Sequence, residues 1–78
     1  SIINAVLQRI RSYMKKGDIA YYLENGTVRH GVLSQVNEPS KEDKKMGAQT
    51  LYEFGHGYAT VEVFKTDKAA EKAQSERS

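Results

Sequence analysis

The sequence predicts an α+β domain: a small four-stranded antiparallel, strongly curved sheet with an N-terminal amphipathic helix and a short C-terminal helix. Two observations carry this reading. Asn25-Gly26 and Gly55-His56-Gly57 interrupt runs of alternating β-forming residues in the middle of the chain. Helical patterning occurs only toward the two ends. The 78 residues suffice for one packed core and not for two, so residues 1–78 are read as a single domain.

Ile3, Leu7, Ile10 and Met14 recur at helical spacing, and Ile2 and Val6 widen the same stripe. Residues 2–16 therefore read as an amphipathic helix with Gly17 as its stop. The ordinary use of such a stripe is to cover a sheet. A sharper use is to pair with a second copy of the chain. The helix is expected over the side of the sheet bearing Tyr21, Leu23, Val28 and Val32, with Arg9, Arg11 and Lys16 solvated.

Residues 19–36 form the first expected hairpin. Both residues of Asn25-Gly26 tolerate the positive φ of a type I′ turn, which sets Leu23 opposite Val28, Tyr21 opposite His30 and Ile19 opposite Val32. The other face then carries Tyr22 beside Arg29 and Ala20 beside Gly31, where the long second strand can bend. Residues 37–47, with Pro39 and the mixed charges of 41–45, read as a mobile solvated loop.

A second hairpin is expected over residues 49–64. If His56-Gly57 make a two-residue turn, Phe54 meets Ala59 and Tyr52 meets Val61; a three-residue turn shifts that register by one. Thr66 or Asp67 caps a final helix over residues 67–74, whose alanines bury little, so that the chain after Ala73 frays. Short curled β segments of this kind are similar to the SH3-like architecture. The likeness is one of architecture alone, since no aromatic pattern for proline-rich ligands accompanies it. An open sheet covered by the first helix is the alternative.

Composition narrows the function classes. With no cysteine there is neither a disulfide framework nor a thiolate metal site, and a cytoplasmic location is the default. The apolar start is interrupted by Arg9 and Arg11 and fits neither a signal peptide nor a membrane span. His30 and His56 belong to no clustered ligand motif, so no metal or other cofactor is expected. Without a phosphate loop, a nucleophile elbow or a close carboxylate pair, the chain is not expected to be an enzyme.

Two surfaces remain. The apolar stripe of Ile3, Leu7, Ile10 and Met14, together with Tyr22 on the sheet, points to a noncatalytic protein-interaction or assembly module that binds a protein partner or itself. Tyrosine combines area with a hydroxyl at wet interfaces, which also singles out Tyr58. The formal net charge is +2, and the excess of bases lies before residue 32. Arg9, Arg11, Lys15, Lys16 and Arg29, with Tyr22 as a stacking platform, form the alternative: a weak, nonspecific nucleic-acid surface.

Overall fold

Asn25 and Gly26 make the turn that registers the first half of the sheet. Both have positive φ, 53° and 78°, as a two-residue turn matched to strand twist requires. The computed structural model describes residues 14–77. Strand β1 (Ile19–Glu24) pairs with β2 (Thr27–Asn37) in the register expected from the turn, Tyr22 opposite Arg29 and Ala20 opposite Gly31.

β2 is 11 residues long and serves two neighbours. Its first half pairs with β1, and its second half pairs with β3 (Leu51–Phe54). Between them the register slips at Leu33/Gln35, so Ser34 is an extra residue in the ladder. Such an irregularity bends a strand and increases its twist. A short β4 (Ala59–Thr60) completes a four-stranded antiparallel sheet in the order β1-β2-β3-β4.

The turn after β3 takes the three-residue form. Gly57 N–H donates to the Phe54 carbonyl at 3.0 Å, Gly57 has φ of 94°, and Phe54 N–H donates to the Tyr58 carbonyl at 2.7 Å. Tyr52 consequently faces Thr60 and Glu53 faces Ala59, which replaces the register of the two-residue alternative. After Thr60 the chain leaves β3, and the Thr60 hydroxyl accepts the Glu62 N–H. Phe64 then exchanges both backbone hydrogen bonds with Tyr21, at 2.9 and 2.7 Å. This bridge brings the chain back to the outer edge of β1 and holds the sheet in its curl.

The concave face is the one bearing Ala20, Tyr22 and Leu33, which pack with Met14, Tyr52 and Phe54 and are flanked by Val36, Tyr58 and Val63. This corrects the expected assignment of faces. The Ile19/Tyr21/Leu23 side is richer in large apolar residues, yet a sharply curled sheet leaves little room inside, where Ala20 and Gly31 sit directly opposite. The convex face keeps Tyr21, Leu23 and Val28 half-buried and leaves Ile19 and Val32 exposed.

Two further expectations are revised. The helix expected over residues 2–16 lies outside the described residues up to 13. Residues 14–16, its last turn, are not helical: Met14 packs in the core, and Lys15 turns back so that its N–H donates to Asp18 Oδ2 at 3.0 Å. The segment read as a mobile loop contains a short helix, α1 (Lys41–Lys45), because Ser40 caps it by accepting from the Asp43 N–H at 3.1 Å. No residue of α1 is buried.

The closing helix α2 (Asp67–Arg77) is longer than expected. Thr66 caps it by accepting from Ala69 N–H at 3.1 Å, and Ala70 is fully buried, which lets the helix lie close against β1 and β2. It occupies the convex side near Tyr21, Val28 and His30, where the N-terminal helix was expected. Its far end is tied down rather than frayed: Gln74 Nε2 donates to the Gly26 carbonyl, and Arg77 forms two parallel hydrogen bonds to Glu62 at 2.7 and 2.6 Å.

These bonds hold the Glu62 carboxyl below its ordinary 4.5, against a smaller opposing effect of burial. A depressed carboxylate stabilises the fold above its unfolded pKa, and that contribution is lost as pH falls through the folded value. Both partners are about half exposed, so the effect is that of a surface pair. Glu62→Gln is expected to lower the denaturant midpoint slightly at neutral pH, with the gap to the parent closing below pH 4.5. A gap unchanged in acid would contradict this role for the pair.

Candidate functional site

Four rings converge where the curl is tightest. Tyr22 projects from β1 into the concave face and stacks on Tyr58, with centroids 4.4 Å apart and planes 17° from parallel. Phe54, at the end of β3, meets the Tyr22 ring at 4.6 Å in a tilted arrangement. The three-residue turn then carries His56 back over β2, where its Nε2 lies 2.7 Å from the Tyr22 hydroxyl. A phenol hydroxyl both donates and accepts, so this bond forms with either imidazole tautomer.

Gly31 is what admits His56. A Cβ at that position would lie 2.8 Å from His56 Cε1 and 3.0 Å from both His56 Nδ1 and Phe54 Cδ1. No side chain fits there without displacing the imidazole. The glycine that the sequence marks as a bend in β2 is therefore also the floor under a histidine 25 residues later in the chain.

Burial pushes the Tyr22 hydroxyl above its ordinary 10.0; the charge of Glu24 adds to this and that of Arg29 opposes it. Arg29 and Glu24 form an ion pair at the mouth of the cluster, Nε to Oε1 at 2.9 Å, with their side chains 56% and 38% exposed. Tyr22, Glu24, Arg29 and His56 line a shallow groove together with Val28 and His30. Val28 and His30 belong to the opposite face of β2, so the groove runs along the strand's edge rather than over one face.

That edge is open. In the β1–β2 ladder Glu24/Thr27, Tyr22/Arg29 and Ala20/Gly31 are the hydrogen-bonded pairs that follow from the two-residue turn, which leaves Val28, His30 and Val32 directing their backbone groups away from β1. Val32 is satisfied on its carbonyl by Gly55 N–H at 3.0 Å. Beyond Leu33 the edge is occupied by β3. Among the described residues, nothing bonds the outward backbone groups of Val28 and His30.

The residues singled out from the sequence separate in space. Ile3, Leu7, Ile10, Arg9 and Arg11 lie outside the described residues. Met14 is 8% exposed and Tyr22 3%, so both are core residues rather than surface contacts. Tyr22 is covered by Tyr58 and Phe54, which removes it as a platform for a stacking base. Lys15 and Lys16 are exposed beside Met14, Gln35, Val36 and Glu38, whereas Arg29 lines the other groove, so the structure does not gather these cations into one basic patch.

His56 was missed as a site residue, since two flanking glycines made it look like an ordinary turn residue. A usable signal was present in Phe54 and Tyr58, which bracket the turn and bring it to the Tyr22/Arg29 face once the three-residue form is adopted. Among the described residues, no group of three or more His, Asp or Glu is placed to hold a metal ion, and no helix is long and apolar enough to cross a membrane.

Comparison of the chain with family models, curated proteins and solved structures finds no match in any of the three. The site is therefore read from its own residues. It comprises an ordered aromatic cluster, a half-exposed ion pair and an unpaired strand edge.

Two substitutions separate the roles. Tyr22→Phe keeps the stack and removes one hydrogen bond, so it is expected to cost about 1 kcal/mol in urea denaturation. Gly31→Ala forces the imidazole out and is expected to cost about 1–3 kcal/mol through overpacking. Combining it with His56→Ala should recover part of that loss; a double variant as unstable as the sum of the single ones would mean that the ring contact is not what requires glycine.

Proposed function

We propose that this chain is a noncatalytic assembly module, an SH3-like curled sheet that associates with a second copy of itself through its convex face. One observation carries the reading. Ile19 and Val32 stand directly opposite each other in the β1–β2 ladder and are 56% and 52% exposed. α2 shields the same face nearer the hairpin turn, at Tyr21 and Val28, and its capped start at Thr66 lies on the side toward Ile19. An aliphatic cross-strand pair in water gains free energy by being covered.

Magnitudes show what else the interface needs. Covering the exposed half of an Ile or a Val contributes about 1 kcal/mol each, hence about 4 kcal/mol for two copies. The loss of translational and rotational freedom on association costs about 4–15 kcal/mol. The sheet pair alone is therefore insufficient. Ile3, Leu7 and Ile10, in the apolar stripe that precedes Met14, are the residues that make up the difference in this proposal.

Light scattering over a concentration series is expected to show a dimer that Val32→Glu dissociates, with Leu7→Glu and Ile10→Glu acting in the same direction. Tyr22→Phe, a change inside the core, should leave the assembly intact. A monomer at every concentration would overturn self-association.

A further inference from the structure

The β2 edge beside the aromatic cluster is distinct from the Ile19/Val32 pair and presents different chemistry. Val28 and His30 offer two N–H donors and two carbonyl acceptors, all directed outward, over a stretch where β2 has a neighbour on one side only. A strand exposing such a row is a template for another strand. The edge is bounded at one end by the Asn25-Gly26 turn and at the other by Gly55, which bonds to Val32. A short extended segment fits between these limits.

Arg29 decides what kind of segment. Its Nε lies 2.9 Å from Glu24 Oε1, and its side chain is 56% exposed where it lines the groove. A guanidinium carries five N–H donors in a planar fork suited to a carboxylate, more than one acid such as Glu24 takes up. The same residue acts against a second copy of this chain. Antiparallel pairing of two β2 edges with Val28 opposite His30 sets the two Arg29 side chains directly across from each other, where like charges repel.

We infer that the Val28–His30 edge docks an extended segment of a different protein by strand addition, and that this segment carries an acidic side chain opposite Arg29. Outward backbone groups supply the pairing, and the Arg29 fork supplies the preference for an acid. The partner residue opposite Arg29 enters the concave side next to Tyr22 and His56, while its neighbours lie on the convex side by Val28 and His30. The inference shares the reading of the chain as an interaction module and does not depend on its self-association.

The test uses the full chain, isotope-labelled, in the Val32→Glu background, so that loss of the dimer and loss of this site are read separately. The probe is a capped octapeptide of alternating threonine and valine with one central glutamate; its counterpart has lysine at that place. In NMR titrations the glutamate peptide is expected to shift the Val28, Arg29 and His30 amides and to slow hydrogen exchange at Val28 and His30. The lysine peptide should bind about fivefold more weakly, and Arg29→Glu should reverse that order.

His30→Pro removes one outward donor at a position an edge strand tolerates, and it should weaken both peptides while the remaining spectrum stays folded. Three results would overturn the inference: no shift at these amides with either peptide, shifts centred away from β2, or equal binding of the two peptides to the parent and to Arg29→Glu.

Discussion

The packing inside this curled sheet depends on how little side chain Ala20 and Gly31 present. They pair across β1 and β2 on the concave side, Ala20 contributing one methyl group and Gly31 none, and the His56 and Phe54 rings lie where a Cβ at Gly31 would stand. Around that narrow point the interior is filled by flat rings rather than branched aliphatics: Tyr22, Tyr52 and Phe54 are buried, and among the described residues Leu33 is the one large side chain that is fully enclosed. Flat rings can be layered into a tight space in offset and tilted contacts, which adds geometric preference to the area they bury. A side chain at position 31 would meet the His56 and Phe54 rings and push them off the strand.

The same constraint accounts for which parts of the fold were legible in the sequence. The β1–β2 register could be read in full, because Asn25-Gly26 is a local signal that leaves one turn geometry. The choice of buried face could not. Hydrophobicity favoured Ile19, Leu23, Val28 and Val32, and only the curvature, which arises from Ser34 and from the return of Phe64 to Tyr21, makes small residues the inward ones. The helix start at Ser40 rests on one side-chain hydrogen bond to the Asp43 N–H, whereas Pro39 and the mixed charges around it read as a solvated loop.

The site divides in the same way. Tyr22 and Arg29 were recognisable as cross-strand neighbours, since that follows from the turn. Their environments were not, because Tyr58 and Phe54 arrive from another hairpin and His56 reaches Gly31 only through a three-residue turn whose register was ambiguous. The anchoring of α2 was likewise beyond reach: Arg77 to Glu62 and Gln74 to Gly26 join segments that no periodicity connects. Local chemistry specified the pieces, while the long-range contacts determined which surfaces remained free.

The extra residue in β2 has a consequence for how the chain tolerates changes of length. Leu33 and Val36 both face inward although three positions apart, which a regular strand forbids, and Ser34 absorbs the mismatch while its hydroxyl donates to the Glu53 carbonyl at 3.2 Å. Deleting one residue here would not merely shorten the strand. Without Ser34 the ladder becomes regular: Leu33 and Val36 keep their inward places with Gln35 outward between them, and the bend and added twist of the slip are lost. Position 34 therefore carries a residue for curvature and not for register: its loss would keep the pairing of β2 with β3 and flatten the one strand that both halves of the sheet share.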